Sequence, residues 1–246
     1  MAAKLYAMSI SHPSRAARLM LEHKGIEYDA VNVSPGMQAV QVRIAGFRGG
    51  TVPALSLGGR RIAGSVAISR ALEEIQPDPP LFPRDSAQRR AVEDAEEWGE
   101  RVLQPIPRRL LRWALRHDRD ARLDFARRAG NARPELAAHA IGLGAVLYAR
   151  REDAKRTERI RADWQSLPSH LDRVDELIAA GTIGGDELNA ADFQIGTTLS
   201  VMLASVDYGP LVAGRPAEAL ARRVWPDFPY ELPSLIPADF PRLQAA

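Results

Sequence analysis

Three short segments near the start of the chain contain residues that can bind a small anion. The first is Ser11-His12-Pro13-Ser14-Arg15, where a strand pattern gives way to a helix pattern. The free N–H groups and the dipole of a helix start favour an anion, and a serine hydroxyl there can donate a hydrogen bond to a thiolate. Ser11 and Ser14 are therefore the candidate catalytic hydroxyls. Either serine also fits the simpler role of an N-cap.

The other two segments offer backbone groups and one hydroxyl. In Thr51-Val52-Pro53 a proline opens a predicted strand. A cis Val52–Pro53 bond would turn the N–H and C=O of Val52 outward to pair with an extended peptide, whereas a trans bond is the commoner state. Gly64-Ser65 opens a predicted helix and offers a cradle for a carboxylate, or a plain N-cap. Thr51, Val52, Pro53, Gly64 and Ser65 are the candidate substrate-binding residues.

Composition and missing motifs exclude several other functions. The chain has no cysteine, which removes disulfides, thiolate nucleophiles and Cys-ligated zinc. It also has no glycine-rich phosphate loop and no histidine pair at metal spacing, so we expect no metal. Its 33 basic residues are dispersed among 31 acidic ones, which argues against a nucleic-acid partner. No apolar stretch reaches the ~20 residues of a membrane span and no signal peptide is visible, so we expect a cytoplasmic protein.

The elements that must position these residues fall into two regions. The chain has 246 residues, of which 46% are hydrophobic, enough for one or two domains with a real core. A proline-rich break at 76–83 divides it. Before the break we predict, in order, a strand at 4–10, a helix at 15–24, a strand at 27–33, a short helix opened by Ser34-Pro35, strands at 52–57 and 60–63, and a helix at 65–75. This βαβαββα order has a parallel first unit and a final hairpin.

After the break nearly every pattern is helical. We predict helices at 86–117 (bent at Pro105 and Pro107), 118–128, 134–151, 155–180 (divided near Pro168) and 190–206, and one from Pro216 to Trp225. An extended proline-rich tail follows. The fold class is therefore α/β plus all-α, with domains at 1–77 and 86–246 joined by a linker at 78–85.

Specific residues give the chain a resemblance to a known family over almost its whole length. They are Leu5-Tyr6, the run from Ser14 to Gly25, the run from Thr51 to Leu55, the run from Gly64 to Ile68, Ala71-Leu72-Glu73, and the run from Asn189 to Phe193. In these residues the chain resembles the glutathione transferases. The resemblance implies a thioredoxin-like N-terminal domain followed by an all-helical domain, in which Asn189 and Asp192 form a structural capping box.

The resemblance also implies a function. It implies an enzyme that activates a low-molecular-weight thiol, glutathione or another, for attack on an electrophile, and the family often forms homodimers. Aligning the chain on Arg18–Glu22 places the family's serine activator at Ser11, with Ser14 as the second choice, while the tyrosine of other classes falls on Ala7. The alternative is a non-catalytic binding or interaction module that keeps the same fold.

Two positions depart from the family pattern. The family usually has Glu or Gln before the serine at the third helix, where this chain has Gly64, and it often has Lys where this chain has Thr51. Side chains of the predicted second helix, Gln38, Gln41 and Arg43, are candidates to compensate. The thiol could also differ from glutathione.

Overall fold

A four-stranded sheet organises the first region of the chain. In the computed structural model, which describes residues 2–34, 37–128, 133–149, 157–229 and 231–243, the strands are β1 (Ala3–Ala7), β2 (Asp29–Asn32), β3 (Ala54–Leu57) and β4 (Arg60–Ala63). Their order across the sheet is β2-β1-β3-β4. Strand β1 pairs parallel with β2 and antiparallel with β3, and β3 and β4 form the hairpin. The predicted βαβαββα order and thioredoxin-like fold are confirmed.

Three helices cover the two faces of this sheet. They are α1 (His12–His23), α2 (Gln38–Ile44) and α3 (Ser65–Ile75). Helices α1 and α3 pack together on the face where Leu5 and Leu55 are buried. Helix α2 covers the opposite face, where Val42 and Phe47 pack against Tyr6. Because side chains alternate along a strand, Ala7 and Tyr6 point to opposite faces, as the sequence predicts.

Three details of the first region differ from the sequence-based expectation. Strand β1 ends at Ala7 rather than at residue 10, because the chain turns at Ser9, and α1 begins earlier than predicted, with Ser11 as its N-cap. The N-cap of α3 is Gly64, and Ser65 is already helical, so the N-cap role predicted for Ser65 is wrong. Pro35 lies outside the described residues, and α2 begins at Gln38.

The described remainder of the chain is almost entirely helical. It contains α4 (Ser86–Trp98), a π-helical turn (Gly99–Leu103), α5 (Pro105–His117), α6 (Arg119–Arg128), α7 (Pro134–Ala149), α8 (Thr157–Ala179), α9 (Ala190–Leu203), α10 (Gly209–Val212) and α11 (Pro216–Val224). The division predicted near Pro168 is wrong: α8 continues through it, with Leu167 and Leu171 buried on either side. No helix in the described ranges is long and apolar enough to cross a membrane.

Helix α9 is the central element of the helical region. The predicted capping box is present at its start: Asn189 Oδ1 accepts from the N–H groups of Ala191 and Asp192, and Asp192 Oδ2 accepts from the Asn189 N–H at 2.9 Å. Nearly every residue of α9 is buried, because the helix packs against α1, α4 and α11. A single core of apolar side chains therefore runs through both regions.

The domain limits 1–77 and 86–246 and the linker at 78–85 stay predictions, although Leu81 and Phe82 within that linker are buried.

Candidate functional site

The three candidate segments lie at one end of the sheet. Strand β1 ends beside the start of β3, where Tyr6 pairs with Ala54, and Ala54 in turn pairs with Ala63 at the end of β4. The N–H of Gly64 donates to the C=O of Pro53 at 2.9 Å. The turn after β1, the residues before β3 and the residues after β4 therefore share one edge. The N-termini of α1 and α3 start from this edge.

The two candidate serines differ in their access to a ligand. Ser11 is half-buried, and its Oγ accepts from the N–H of Ser14 at 3.4 Å, so its hydroxyl hydrogen is left for another acceptor. Ser14 is fully buried, and its Oγ accepts from the N–H of Met8 at 3.3 Å. The N-cap role is thus real for Ser11, but it uses only the oxygen lone pair. Of the two serines, Ser11 is therefore the more exposed.

His12, which the sequence gave no reason to select, lies between Ser11 and the helical region. It is buried, and its Nδ1 lies 3.0 Å from Thr198 Oγ1 on α9. Because the Thr198 hydroxyl donates to the Gln194 C=O at 3.1 Å, we assign the Nδ1–H of His12 as the donor to Thr198. Burial, followed by the nearby charges of Arg108 and Arg112, holds the pKa of His12 well below its ordinary value. The imidazole is therefore neutral and fixes α1 against α9.

The residues before β3 include a backbone with unused hydrogen-bonding groups. The Val52–Pro53 peptide bond is cis, and Pro53 is buried while Thr51 is exposed. Within the described ranges, neither the N–H nor the C=O of Val52 makes a hydrogen bond to protein. Val52 therefore has one donor and one acceptor available for a bound chain.

Gly64 and Ser65 form the start of α3. Gly64 has φ 96°, in the left-handed region that favours glycine. Ser65 is only 1% exposed, and its Oγ has no partner in the described part of the protein. Together with the free N–H groups of the first helical turn, this hydroxyl suits a carboxylate.

Three side chains of the second helix were candidates to compensate for the departures at Gly64 and Thr51, but they make other contacts or lie elsewhere. Gln41 Oε1 accepts from the N–H of Ser34 at 3.0 Å, and Arg43 is exposed. Gln38 is buried, and its Oε1 has no partner among the described residues. None of these contacts involves Gly64.

The side chain that approaches Gly64 comes instead from the π-helical turn. Glu100 Oε1 lies 3.9 Å from the point where a Cβ on residue 64 would stand. Glu100 is half-buried, and burial raises the pKa of its carboxyl group above the ordinary value. The sequence contained one signal for this turn: Pro105 and Pro107, separated by one residue, each lack the N–H that a helix would use. Nothing in the sequence linked the turn to Gly64.

The fold and the first domain match known proteins. Residues 5–80 match the family model described as the N-terminal domain of glutathione S-transferase. No curated protein matches the sequence. Among similar solved structures are a glutathione S-transferase from Rhodospirillum rubrum (23% identity, 91% of this chain and 86% of that one, TM-score 0.56) and the beta-etherase LigF from Sphingobium (18%, 92% and 95%, TM-score 0.65). A third is a glutathione S-transferase from Methylobacterium radiotolerans in complex with glutathione sulfonate (20%, 99% and 100%, TM-score 0.57).

These similarities identify the class of protein. Residues 5–80 match the N-terminal domain of the glutathione S-transferases, and the described chain shares the fold of the solved glutathione S-transferases over most of its length. The resemblance found in the sequence is therefore confirmed.

Proposed function

We propose that the protein is a glutathione transferase-like enzyme that binds glutathione at this end of the sheet and activates its thiol through Ser11. The observation that carries the proposal is the half-buried Ser11 hydroxyl, which keeps its hydrogen for a ligand at the start of α1. The match of residues 5–80 to the N-terminal domain of glutathione S-transferase and the similar structure solved with glutathione sulfonate support glutathione as the thiol. The proposed chemistry requires no metal.

The backbone and hydroxyl groups of the first domain bind the tripeptide. Val52 pairs with the cysteinyl residue through its unused N–H and C=O, beside Thr51 and Pro53. Ser65 and the first turn of α3, preceded by Gly64, bind the γ-glutamyl carboxylate. Both interactions use groups that are otherwise left without a partner in the described residues, so binding satisfies them.

Activation follows from the charge distribution around Ser11. A hydrogen bond from its hydroxyl stabilises the thiolate more than the thiol and so lowers the pKa of the bound thiol. The positive end of the α1 dipole and the charges of Arg108 and Arg112, which act on neighbouring His12, have the same effect. The thiolate sulfur then attacks the electrophile with its lone pair, forming the C–S bond while the leaving group departs with its electrons.

The test compares Ser11→Ala with Ser14→Ala. The pKa of bound glutathione is measured from thiolate absorbance against pH, and kcat/KM is measured with a chlorodinitrobenzene electrophile. We expect Ser11→Ala to raise the thiol pKa and to lower kcat/KM by roughly 10- to 100-fold. Ser14→Ala, matched in chemistry but buried, should change neither value in the folded protein. Ser11→Thr, which keeps a hydroxyl and a cap, should retain most of the activity.

Other results would redirect the interpretation. Binding of glutathione without turnover, unaffected by Ser11→Ala, would favour the non-catalytic binding module. Turnover that survives Ser11→Ala would remove Ser11 as the activator. Absence of glutathione binding by the wild-type protein at millimolar concentration would overturn glutathione as the thiol and favour another low-molecular-weight thiol. A homodimer and a cytoplasmic location stay predictions.

A further inference from the structure

Helix α2 presents three large apolar side chains to solvent. Met37, its N-cap residue, is 51% exposed, Val40 is 47% exposed and Ile44 is 83% exposed. Spacings of three and four residues place them on one face of the helix, away from the buried Val42 that packs on the sheet. A group of exposed apolar side chains marks a surface that binds something. We call these three side chains the α2 patch.

The chain around the α2 patch carries positive charge without negative charge. From residue 30 to residue 72 the sequence has five arginines and no aspartate or glutamate. Two of these arginines pair with glutamates that lie beyond this segment. The other three are exposed and make no ion pair within the described residues; they are Arg43, Arg48 and Arg61. This part of the surface therefore has cations that lack counter-ions in the described chain.

These three arginines lie close to the α2 patch. Arg43 precedes Ile44 within α2, and Arg48 follows shortly after the helix ends. Arg61 comes from β4, and its Nε donates to the C=O of Ala45 at 3.1 Å, at the C-terminal end of α2. A cation is favourable at that end of a helix. The apolar side chains and the unpaired cations are thus neighbours on one surface.

The make-up of this surface favours one kind of partner. A second copy of the chain that met it with the same surface would bring like charges together, which is unfavourable. A stable protein complex buries roughly 800 Å² on each partner, whereas α2 has seven residues and is only about 10 Å long. A bilayer with anionic lipids needs no such area. Its headgroups neutralise arginines, and exposed apolar side chains can enter the boundary between headgroups and acyl chains.

We propose that the α2 patch docks the protein reversibly on membranes whose surface carries anionic lipids. Its three apolar side chains insert among the headgroups, while Arg43, Arg48 and Arg61 bind the lipid phosphates. Helix α2 covers the face of the sheet opposite α1 and α3, and those two helices pack against α9 of the helical region. The protein can therefore lie on a membrane through α2 without disturbing the packing between its two regions.

Cosedimentation with lipid vesicles tests the docking. The probes are vesicles of phosphatidylcholine alone and vesicles of equal parts phosphatidylcholine and phosphatidylglycerol. We expect the wild-type protein to bind the anionic vesicles at least about tenfold more tightly, and added salt should reduce that preference. Ile44→Ser should weaken binding to the anionic vesicles by at least about fivefold, and so should the double variant Arg43→Gln/Arg48→Gln.

Matched controls change the same residue types elsewhere on the surface. Leu136 on α7 is 65% exposed, so Leu136→Ser removes an exposed apolar side chain away from α2. Arg84 and Arg101 are exposed but already pair with Asp78 and Glu97, so Arg84→Gln/Arg101→Gln removes two arginines that have counter-ions. Both controls should keep the wild-type affinity for the anionic vesicles.

Several outcomes would overturn this inference. Failure of the wild-type protein to bind anionic vesicles does so without any variant. Equal binding to neutral and anionic vesicles, or binding that Ile44→Ser leaves unchanged, also contradicts docking through the patch. Binding of poly-glutamate but not of vesicles would assign the surface to an acidic protein instead. A change in oligomeric state of Ile44→Ser without lipid, measured by sedimentation velocity, would assign the patch to a contact between copies. None of these measurements depends on glutathione binding, so the proposed function is tested separately.

Discussion

Arg70 Nη1 donates to Glu96 Oε2 at 2.5 Å and thereby joins α3 of the first domain to α4 of the helical region. The two partners differ in environment: the Glu96 side chain is 0% exposed, whereas the Arg70 side chain is 31% exposed. Glu96 Oε1 has no partner among the described residues. Burial raises the pKa of Glu96 to about 7, because desolvation outweighs the opposing effect of Arg70.

This ion pair predicts that the protein loses stability as the pH rises. Glu96 ionises near 4.5 in the unfolded chain and near 7 in the folded one, so the folded state binds the proton more tightly. Its contribution is complete below about pH 4.5 and disappears as the pH rises through about 7. The shift corresponds to at most about 3 kcal/mol in the free energy of unfolding. Asp192, whose pKa burial raises to about 6, acts in the same direction.

Denaturant unfolding of wild type and Glu96→Gln from pH 5 to pH 8 measures this contribution. The difference in unfolding free energy between wild type and Glu96→Gln should decrease as the pH rises from 5 to 8, because only the wild-type protein has the Glu96 carboxyl group. Glu93→Gln, three residues earlier and paired with Arg89 at 2.9 Å, is the matched control and should keep the wild-type slope. If Glu96→Gln shows the same slope as wild type, the ionisation of Glu96 does not contribute to stability.

His12 predicts a pH effect of opposite sign. Because its folded pKa lies well below 6.5, the unfolded chain takes up the proton first as the pH falls. The stability contributed by neutral His12 is therefore present above about pH 6.5 and decreases below it. Protonation would place a third positive charge beside Arg108 and Arg112. The difference in unfolding free energy between wild type and His12→Gln should therefore shrink as the pH falls from 7 towards 5.

An exposed histidine provides the control for the His12→Gln experiment. His117 lies on the surface, with Nδ1 2.8 Å from the Trp113 C=O, and His117→Gln should leave the acid dependence as in wild type. A wild-type minus His12→Gln difference that stays constant from pH 5 to 7 would contradict a lowered pKa at residue 12.

Local patterns were enough to predict the first domain. The alternation in β1, the Gly58-Gly59 turn between β3 and β4, and the apolar spacing of α1 each have a local physical cause. The errors arose where packing overrides local preference. Pro168 has no N–H to donate, yet α8 continues because Leu167 and Leu171 are buried around it.

The site was predictable only where it is built from neighbours in sequence. Ser11, Val52 and Ser65 each follow from a strand end or a helix start, and sheet pairing brings those ends together. Glu100 and Thr198 come from helices far along the chain, and their approach to Gly64 and His12 depends on how α4 and α9 dock against the first domain. No periodicity in a single sequence specifies that docking.

Gly99, in the π-helical turn, packs closely against α9. A Cβ on Gly99 would stand 2.9 Å from Ile195 Cγ1 and 3.3 Å from Gln194 Cγ, both on buried α9. Neither atom is the free end of a flexible side chain, so the π-helical turn must move away from α9 to accept the methyl group. We expect Gly99→Ala to lower the free energy of unfolding by about 1–3 kcal/mol through overpacking, against the ~1 kcal/mol that alanine otherwise gains in a helix.

Thermal unfolding of Gly99→Ala, side by side with Gly49→Ala, measures this effect. A Cβ on Gly49 meets no atom within 4 Å, so that substitution adds the same methyl group without a clash. We expect the control to keep the wild-type melting temperature, while Gly99→Ala lowers it. A Gly99→Ala protein with the wild-type melting temperature would show that the packing against α9 accepts the methyl group without cost.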